Sequence, residues 1–235
     1  MADTLTFQLA APLAAMGEIA VGERRGSWDR PARSAVFGLV AAALGLDRAE
    51  EAAHAALESG YGYAVRVERC GALLADYHTA QVPPAKRGRR FATRAAELAA
   101  PDLGTILSRR DYRCELAAIV ALWARPDARW PLAALAEALR YPRFVLYLGR
   151  KSCPLMLPTD PCVTDAEPVA AMATHAARLR GWLEGGFGKP VIAIDADAAG
   201  AHAVLRVERR RDALASRARW QFALRDEAVL REPAP

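Results

Sequence analysis

Residues 147–154, with the sequence YLGRKSCP, combine a glycine with two cations and a hydroxyl. Gly149 permits a close backbone approach, and Arg150, Lys151 and Ser152 follow it directly, which is a composition that suits binding of a phosphate group. The G-x-x-x-x-G-K-[ST] pattern of a Walker loop is absent. We therefore predict a phosphate-binding loop here, with a solvated basic turn as the alternative.

A second candidate for anion binding is the predicted start of a helix at residues 31–34, with the sequence PARS. The free amide groups and the positive end of a helix favour an anion, and Arg33 and Ser34 would add side-chain donors. Serine before an apolar helix is more often an ordinary N-cap, and the local pattern alone favours that role.

Tyr77 and His78 form a third candidate, in the segment DYHT at residues 76–79. Both rings could stack on nucleobases. Together with Lys86 they could instead serve as acid and base in metal-independent RNA cleavage. Packing or simple hydrogen bonding is the structural alternative for both side chains.

Metal chemistry has little support in the sequence. Asp195 and Asp197 follow a predicted strand and could bind magnesium, but no Walker loop and no histidine at metal-ligand spacing accompanies them. The four cysteines form no C-x-x-C pair, which argues against a zinc finger and against a disulfide framework. We predict neither a metal nor another cofactor.

The basic residues suggest a polyanionic partner. The formal net charge is +5 and the pI about 9.3, and all but three of the 32 basic residues are arginine. Arginine binds phosphate through a planar fork and stacks on bases, although a GC-rich genome also enriches arginine. Hydrophobic residues make up 53% of the chain, which predicts a folded core.

Targeting signals are weak. The apolar stretch at residues 5–16 has no preceding Lys or Arg and follows Asp3, so it makes a poor signal peptide. The sequence has no run of 18 uncharged apolar residues, so we expect no membrane contact and a cytoplasmic location.

The periodicity of apolar residues predicts an α+β chain. The expected order is strand, helix, strand, strand, basic insertion, strand, helix, strand, which is the ferredoxin-like order of RNA-recognition domains with one strand to spare. The expected strands are residues 5–9, 61–70, 72–79, 112–123 and 144–148, and the helices start near residues 33 and 130, with a short extra helix at 49–57. After residue 160 we expect a helix at 169–183 and strands at 191–194, 202–207 and around 220–222. The expected body is residues 1–151, with a projecting basic loop or arm at residues 83–94, and residues 152–235 form a C-terminal elaboration packed on it.

Several blocks together resemble a known family. The chain is similar to the CasD-type subunits (Cas five family) of the type I-E CRISPR surveillance complex Cascade, over residues 5–160 and again at RWQF, residues 219–222. The blocks are PARSAVFGLVAAALG at 31–45, DYHT at 76–79, RDYRC at 110–114, VALW at 120–123 and YLGRKSCP at 147–154. The family's Gly-Pro-x-Gln-x-Trp-Gly after the first strand is replaced here by APLAAMG at 11–17.

The resemblance implies a binding subunit without catalytic activity. Such a subunit holds the repeat-derived 5′ handle of the CRISPR RNA (crRNA). Its thumb, here residues about 79–110, packs between the guide and the first backbone subunit. Its body bridges to the large subunit, so that target DNA is met only through the assembled complex. The alternative, taken from the type I-C relative, is a metal-independent endoribonuclease using His78, Tyr77 and Lys86.

The residues that we expect to bind RNA share a basic, aromatic or hydroxyl side chain, or a glycine backbone, in the segments above. They are Arg24, Arg25, Arg33, Ser34, Tyr77, His78, Arg109, Arg110, Tyr112, Arg143, Tyr147, Gly149, Arg150, Lys151 and Ser152.

Overall fold

A nine-stranded sheet runs through the protein in the computed structural model, which describes residues 3–17, 22–86 and 88–231. The strands are β1 Thr4–Ala14, β2 Arg24–Arg25, β3 Tyr61–Arg69, β4 Ala72–Val82, β5 Gly104–Ala124, β6 Cys162–Thr164, β7 Val191–Asp195, β8 Val204–Ser216 and β9 Gln221–Leu230. The helices are α1 Arg33–Leu44, α2 Glu51–Gly60, α3 Arg94–Leu98, α4 Leu132–Arg140 and α5 Pro168–Trp182, and Ala196–Ala198 forms a 3₁₀ turn.

The sheet has the order β6-β1-β5-β3-β7-β9-β8, and neighbouring strands along this path are antiparallel. The 21-residue strand β5 has two roles. Its second half lies between β1 and β3, while its first half pairs with β4 on one side and with the short β2 on the other. Glu115 lies between the two halves of β5 and has a φ of 57°. Opposite it in β1 is Pro12, which has no N–H to donate, so the pairing of β1 with β5 is interrupted at this point.

Helices cover both faces of the central strands. Helices α1 and α4 pack on one face, where Phe7, Val65 and Val120 are completely buried. Helix α5 packs on the other face, where alanines of β1, β3 and β5 meet Met172 and Leu179. Because alanine has the smallest apolar side chain, these positions let α5 approach the sheet closely. Burial of a Val, Leu or Met side chain contributes about 1.5–3 kcal/mol, so the two clusters account for much of the fold's stability.

Buried ion pairs join the C-terminal hairpin β8–β9 to the rest of the chain. The Nε atom of Arg30 donates to Glu227 at 2.7 Å, and the Nη1 atom of Arg225 donates to Asp195 in β7 at 3.2 Å. Arg30 and Glu227 are at most 1% exposed. Breaking a buried pair leaves an uncompensated charge, so these contacts fix the position of the hairpin.

Most predicted elements are confirmed, including the helices at α1, α2, α4 and α5 and the strands at β1, β3 and β7. Gly45 ends α1 with a φ of 79°, as expected for a glycine C-cap. The predicted strand at residues 144–148 is wrong, because this segment makes only an isolated bridge between Tyr147 and Pro154. The strand beside β1 is instead β6, so residues after 151 contribute to the same sheet.

After Gly71 the chain does not turn back along β3, since β4 pairs with β5. Gly71, with a φ of 77°, lies so close to β5 that a Cβ there would stand 1.8 Å from the oxygen of Cys114. The chain therefore leaves the core sheet at this glycine and continues along β5. The expected insertion is accordingly a projecting ribbon of β4 and β5, with α3 near its tip, rather than a loop. The strand predicted at residues 72–79 is confirmed as part of β4, whereas the exposed first half of β5 was not predicted.

None of the helices in the described parts of the chain is long and apolar enough to cross a membrane.

Candidate nucleic-acid interface

Three strands meet at the base of the projecting ribbon and bring several predicted residues together. Arg24 of β2 is paired with Arg109 of β5, which lies opposite Tyr77 of β4. One position along, Arg25 is paired with Arg110, which lies opposite Asp76. Because paired residues share a face and successive residues alternate, the ribbon carries these as two rows on opposite faces.

A buried carboxylate positions the first row. Asp111 is 1% exposed, and its two oxygens lie 3.3 Å from Nη2 of Arg24 and 3.3 Å from Nε of Arg109. The two arginine side chains are themselves 68% and 53% exposed. One internal anion therefore orients two guanidiniums whose remaining donors face solvent.

The loop around Gly149 docks onto the same ribbon base. Gly149 has a φ of 86°, and a Cβ there would stand 1.8 Å from the backbone oxygen of Ala15, so this approach requires glycine. The guanidinium of Arg150 lies 4.5 Å from the ring centroid of Tyr112. It also donates to the backbone oxygens of Asp111 at 3.4 Å and of Arg25 at 3.5 Å. Lys151 and Ser152 are exposed beyond it.

We call the residues Arg24, Arg25, Arg109, Arg110 and Arg150 the arginine cluster. They come from three separate segments of the chain. In the described part of the structure, Asp111 is the only carboxylate within ion-pair distance of any of them. The cluster thus keeps a net positive charge and free guanidinium donors, which is the chemistry that binds phosphate groups.

The structure corrects the prediction that the start of α1 binds an RNA phosphate. Arg33 is 4% exposed and its backbone N–H donates to Oδ2 of Asp212 at 2.9 Å. Burial opposes ionisation of Asp212, but Arg225, Arg210 and the Arg33 N–H outweigh it and hold the pKa of Asp212 below its usual value. The helix start therefore already has an anion from its own chain. The N-cap is Ala32 without a side-chain bond, so Ser34 is not the cap either.

The side chain of Arg33 is equally committed inside the protein. Its Nε donates to Glu58 at 2.7 Å and its Nη1 to Asp195 at 2.6 Å. Its Nη2 donates to the backbone oxygen of Tyr61 at 2.9 Å. We therefore remove Arg33 from the set of candidate RNA ligands.

The candidate nuclease residues do not converge. Tyr77 and His78 are consecutive in β4, so their side chains point to opposite faces of the ribbon. His78 faces Asp76 at 2.6 Å, and Lys86 donates to Asp102 at 2.7 Å. Tyr77 is 65% exposed, which leaves its ring open for stacking.

Two further predicted residues lie outside the cluster. Arg143 is exposed and packs along Gly45 at the end of α1, and Tyr147 is 38% exposed. Asp195, which had little support as a magnesium ligand in the sequence, is buried beside Arg33, Arg125 and Arg225, and its burial raises its pKa. Among the described residues, no group of three His, Cys, Asp or Glu side chains could hold a metal ion. The Asp195 carboxylate is therefore committed to arginines of its own chain.

Sequence reasoning missed Asp111, the residue that orients Arg24 and Arg109. The available signal was its position as a single acidic residue within RRDYR, since a lone carboxylate among arginines is a natural partner for them. It also missed Asp212, whose partner Arg33 lies 179 residues away in the sequence.

Comparisons with known proteins give the chain its family. The family model described as CRISPR-associated protein (Cas_Cas5) matches residues 4–226. The CRISPR system Cascade subunit CasD of Escherichia coli (strain K12) is 33% identical over 169 residues, which are 67% of this chain and 70% of that protein. A chain from a structure titled "CRISPR RNA-guided surveillance complex" matches in fold, with a TM-score of 0.63 at 23% identity over 97% of this chain and 89% of that one. A second structure, titled "Crystal structure of Cas protein", has a TM-score of 0.64 at 27% identity over 99% of this chain and 97% of that one. The chain therefore belongs to the Cas5 family of CRISPR-associated proteins.

Proposed function

We propose that this protein is a non-catalytic, CasD-type subunit of a type I-E CRISPR surveillance complex and that it binds the 5′ handle of the crRNA. The observation that carries the proposal is the arginine cluster, which the fold assembles at the base of the ribbon around the buried carboxylate of Asp111. The 33% identity to the Escherichia coli Cascade subunit CasD supports the assignment to this kind of complex.

In this proposal the handle crosses the ribbon base as a single strand. Arg24 and Arg109 contact its phosphates on one face. On the other face, Arg25 contacts them together with Lys151 and Ser152 of the Gly149 loop, beside Arg150. Single strands are held by cationic contacts together with stacking on aromatic rings, and the exposed ring of Tyr77 is placed next to Arg109 for that purpose.

We also infer that the body is ferredoxin-like. Strands β6-β1-β5-β3 have the order expected of a split β-α-β pair, with α1 and α2 connecting β1 to β3 and α4 connecting β5 to β6. The sheet face opposite α1 and α4 is covered by α5. RNA-recognition domains use their sheet to stack bases, so in this chain the RNA is displaced to the ribbon.

The ribbon has the features expected of a thumb that contacts other subunits. It projects from the sheet, is exposed on both faces, and carries Lys86 and Arg89 near its tip. We propose that it packs between the guide and a backbone subunit, that the body contacts the large subunit, and that target DNA is bound only through the assembled complex.

The test is RNA binding by the Arg24→Gln, Arg25→Gln double variant, measured with labelled repeat RNA as a function of salt. Arg109 still partners Asp111 in this variant, so the fold should persist. Each lost phosphate contact lowers the log–log salt slope by about 0.7 for a single strand, so we expect a drop of about 1.4. The matched control is Arg206→Gln, Arg209→Gln, since both arginines are exposed but paired with carboxylates.

An unchanged affinity and salt slope in the Arg24, Arg25 variant would contradict the proposal. The same RNA, incubated with the protein with and without divalent metal, should remain intact. Specific cleavage that disappears in His78→Ala would instead establish the endoribonuclease.

A further inference from the structure

The turn of the β8–β9 hairpin carries an exposed tryptophan packed against arginines. The guanidinium of Arg217 lies 4.1 Å from the ring centroid of Trp220, and that of Arg48 lies 4.9 Å from it. Trp220 remains 54% exposed, and Arg219 next to it is also exposed. We call Arg48, Arg217, Arg219 and Trp220 the hairpin-tip platform.

The platform is held in place by its own backbone contacts. Glu51, at the start of α2, accepts hydrogen bonds from the N–H of Arg217 at 3.0 Å and of Ala218 at 2.9 Å. Trp220 has a φ of 57°, donates its N–H to the oxygen of Arg217, and meets Phe222 edge-to-face at 5.8 Å. The ring and its arginines are therefore organised before any ligand binds, which reduces the entropy lost on binding.

The positive charge of the platform is not neutralised. Within the described chain, no carboxylate lies within ion-pair distance of Arg48, Arg217 or Arg219, and both oxygens of Glu51 are used by backbone N–H groups. The Nε atom of Arg217 is buried without a hydrogen-bond partner. Burial and the neighbouring charge of Arg48 lower the pKa of Arg217. By contrast, Arg206 and Arg209 on the same hairpin are paired with Glu208 and Asp226.

An exposed indole beside unneutralised guanidiniums is suited to a nucleotide, which offers a flat base and a phosphate together. The platform also lies close to the proposed RNA path. Tyr147, three residues before Arg150, lies beside Ala35 and Leu39 of α1, and α1 also packs against β8. A single strand that leaves the Gly149 loop past Tyr147 and follows α1 would therefore run towards the β8–β9 hairpin.

We propose that the hairpin-tip platform binds one nucleotide of the single-stranded guide RNA whose neighbouring nucleotides occupy the arginine cluster. The base stacks on the platform of Trp220 and its arginines, and Arg219 and Arg48 contact the flanking phosphates. The proposal rests on the proposed function and extends it to a second subsite, built from the C-terminal hairpin.

The experiment is an abasic scan of labelled repeat RNA against the full-length protein. With wild type, removal of the base at one position should weaken binding about 10-fold, since stacking of one base typically contributes a factor of roughly 5 to 150. Trp220→Ala should weaken binding of intact RNA by a similar factor and should remove the penalty at that position alone. Trp220→Phe keeps a stacking face and should retain most of the affinity.

The control variant is Trp182→Ala, because Trp182 is 68% exposed but is not part of the platform. Single-stranded DNA of the same sequence tests whether the bound nucleotide belongs to guide RNA or to target DNA. If removing a base weakens binding of DNA as much as binding of RNA, the platform binds a strand of target DNA and the assignment to guide RNA is overturned. Thermal unfolding of each variant checks that the hairpin still folds.

The outcomes separate the two proposals. If Trp220→Ala binds RNA like wild type while Arg24→Gln, Arg25→Gln loses affinity, the platform only holds the hairpin and this inference is wrong. If both variants bind normally, the proposed function is wrong as well. If Trp220→Ala loses affinity equally at every abasic position, no base stacks on Trp220, and the inference is again overturned.

Discussion

Replacement of Arg33 by glutamine distinguishes a structural arginine from an RNA ligand. Arg33 lies in the segment at residues 31–45 that resembles CasD-type subunits, but in the fold its side chain is surrounded by Glu58, Asp195 and the backbone oxygen of Tyr61. We expect Arg33→Gln to destabilise the protein and to leave the RNA affinity of the folded fraction unchanged.

The size of the effect follows from the partners that are left behind. Removing one side of a buried ion pair typically costs 3–5 kcal/mol. Asp195 would still have Arg125 at 3.1 Å and Arg225 at 3.2 Å, whereas Glu58 has no other ion-pair partner in the described chain. We therefore expect about 3 kcal/mol. For a chain of this size 1 kcal/mol shifts Tm by about 2–4 °C, so Tm should fall by roughly 6–12 °C.

The defect should also depend on pH. Burial already raises the pKa of Glu58 in the folded protein, and loss of Arg33 would raise it further. A carboxyl with a raised folded pKa gains stability as the pH falls, because the native state then binds the extra proton. The difference in stability between wild type and Arg33→Gln should thus be smaller at acidic pH than at pH 8.

The assay is thermal and urea unfolding, with labelled-RNA binding measured at a temperature where every variant is folded. Arg33→Lys, which keeps the charge but not the fork, should lie between wild type and glutamine. Arg206→Gln, an exposed pair on β8, serves as the control and should cost less than about 1 kcal/mol. A Tm within about 2 °C of wild type combined with weaker RNA binding would refute the reasoning and restore Arg33 as a ligand.

Three further predictions follow from the glycine loop, a buried histidine and the ribbon tip. Gly149→Ala should cost about 2–3 kcal/mol in urea unfolding, because its φ is 86° and its Cβ would meet Ala15, whereas Gly38→Ala in open space should be neutral or slightly stabilising. Burial and the charge of Arg178 lower the pKa of His175 to about 4, although Asp160 acts in the opposite direction. As the pH falls from about 6.5 to 4, the free energy of unfolding of wild type should therefore decrease by about 3 kcal/mol more than that of His175→Gln. Parallel curves of stability against pH for the two proteins would contradict this. Replacing residues 83–99 with a short Gly-Ser linker should leave Tm nearly unchanged, since α3 has no buried residues, but should block co-purification with backbone subunits; normal assembly would show that the ribbon is not a thumb.

Local patterns in the sequence were sufficient for most elements with a buried face. The apolar repeat of α1 with its closing Gly45, the alternation in β3 and the amphipathic α4 are encoded within a few residues of one another, so they are visible without the fold. The ribbon was only partly predicted. The strand at 72–79 was predicted, but residues 104–110 of β5 were not. They bury neither face, so their hydrogen bonds to β4 are the main reason that they form a strand.

The separation of structural from exposed arginines required the tertiary structure. Arg33 and Arg24 are the same residue type in similar basic surroundings, yet one is 4% exposed and the other projects a side chain that is 68% exposed. The carboxylates that decide this, Asp195 and Asp212 for Arg33 and Asp111 for Arg24, lie 87 to 179 residues away in the sequence. Which arginine pairs with which carboxylate at such distances depends on where β5 and the C-terminal hairpin lie in the sheet. The arginine content alone therefore indicated a polyanionic partner, and only the fold showed which guanidiniums remain free to meet it.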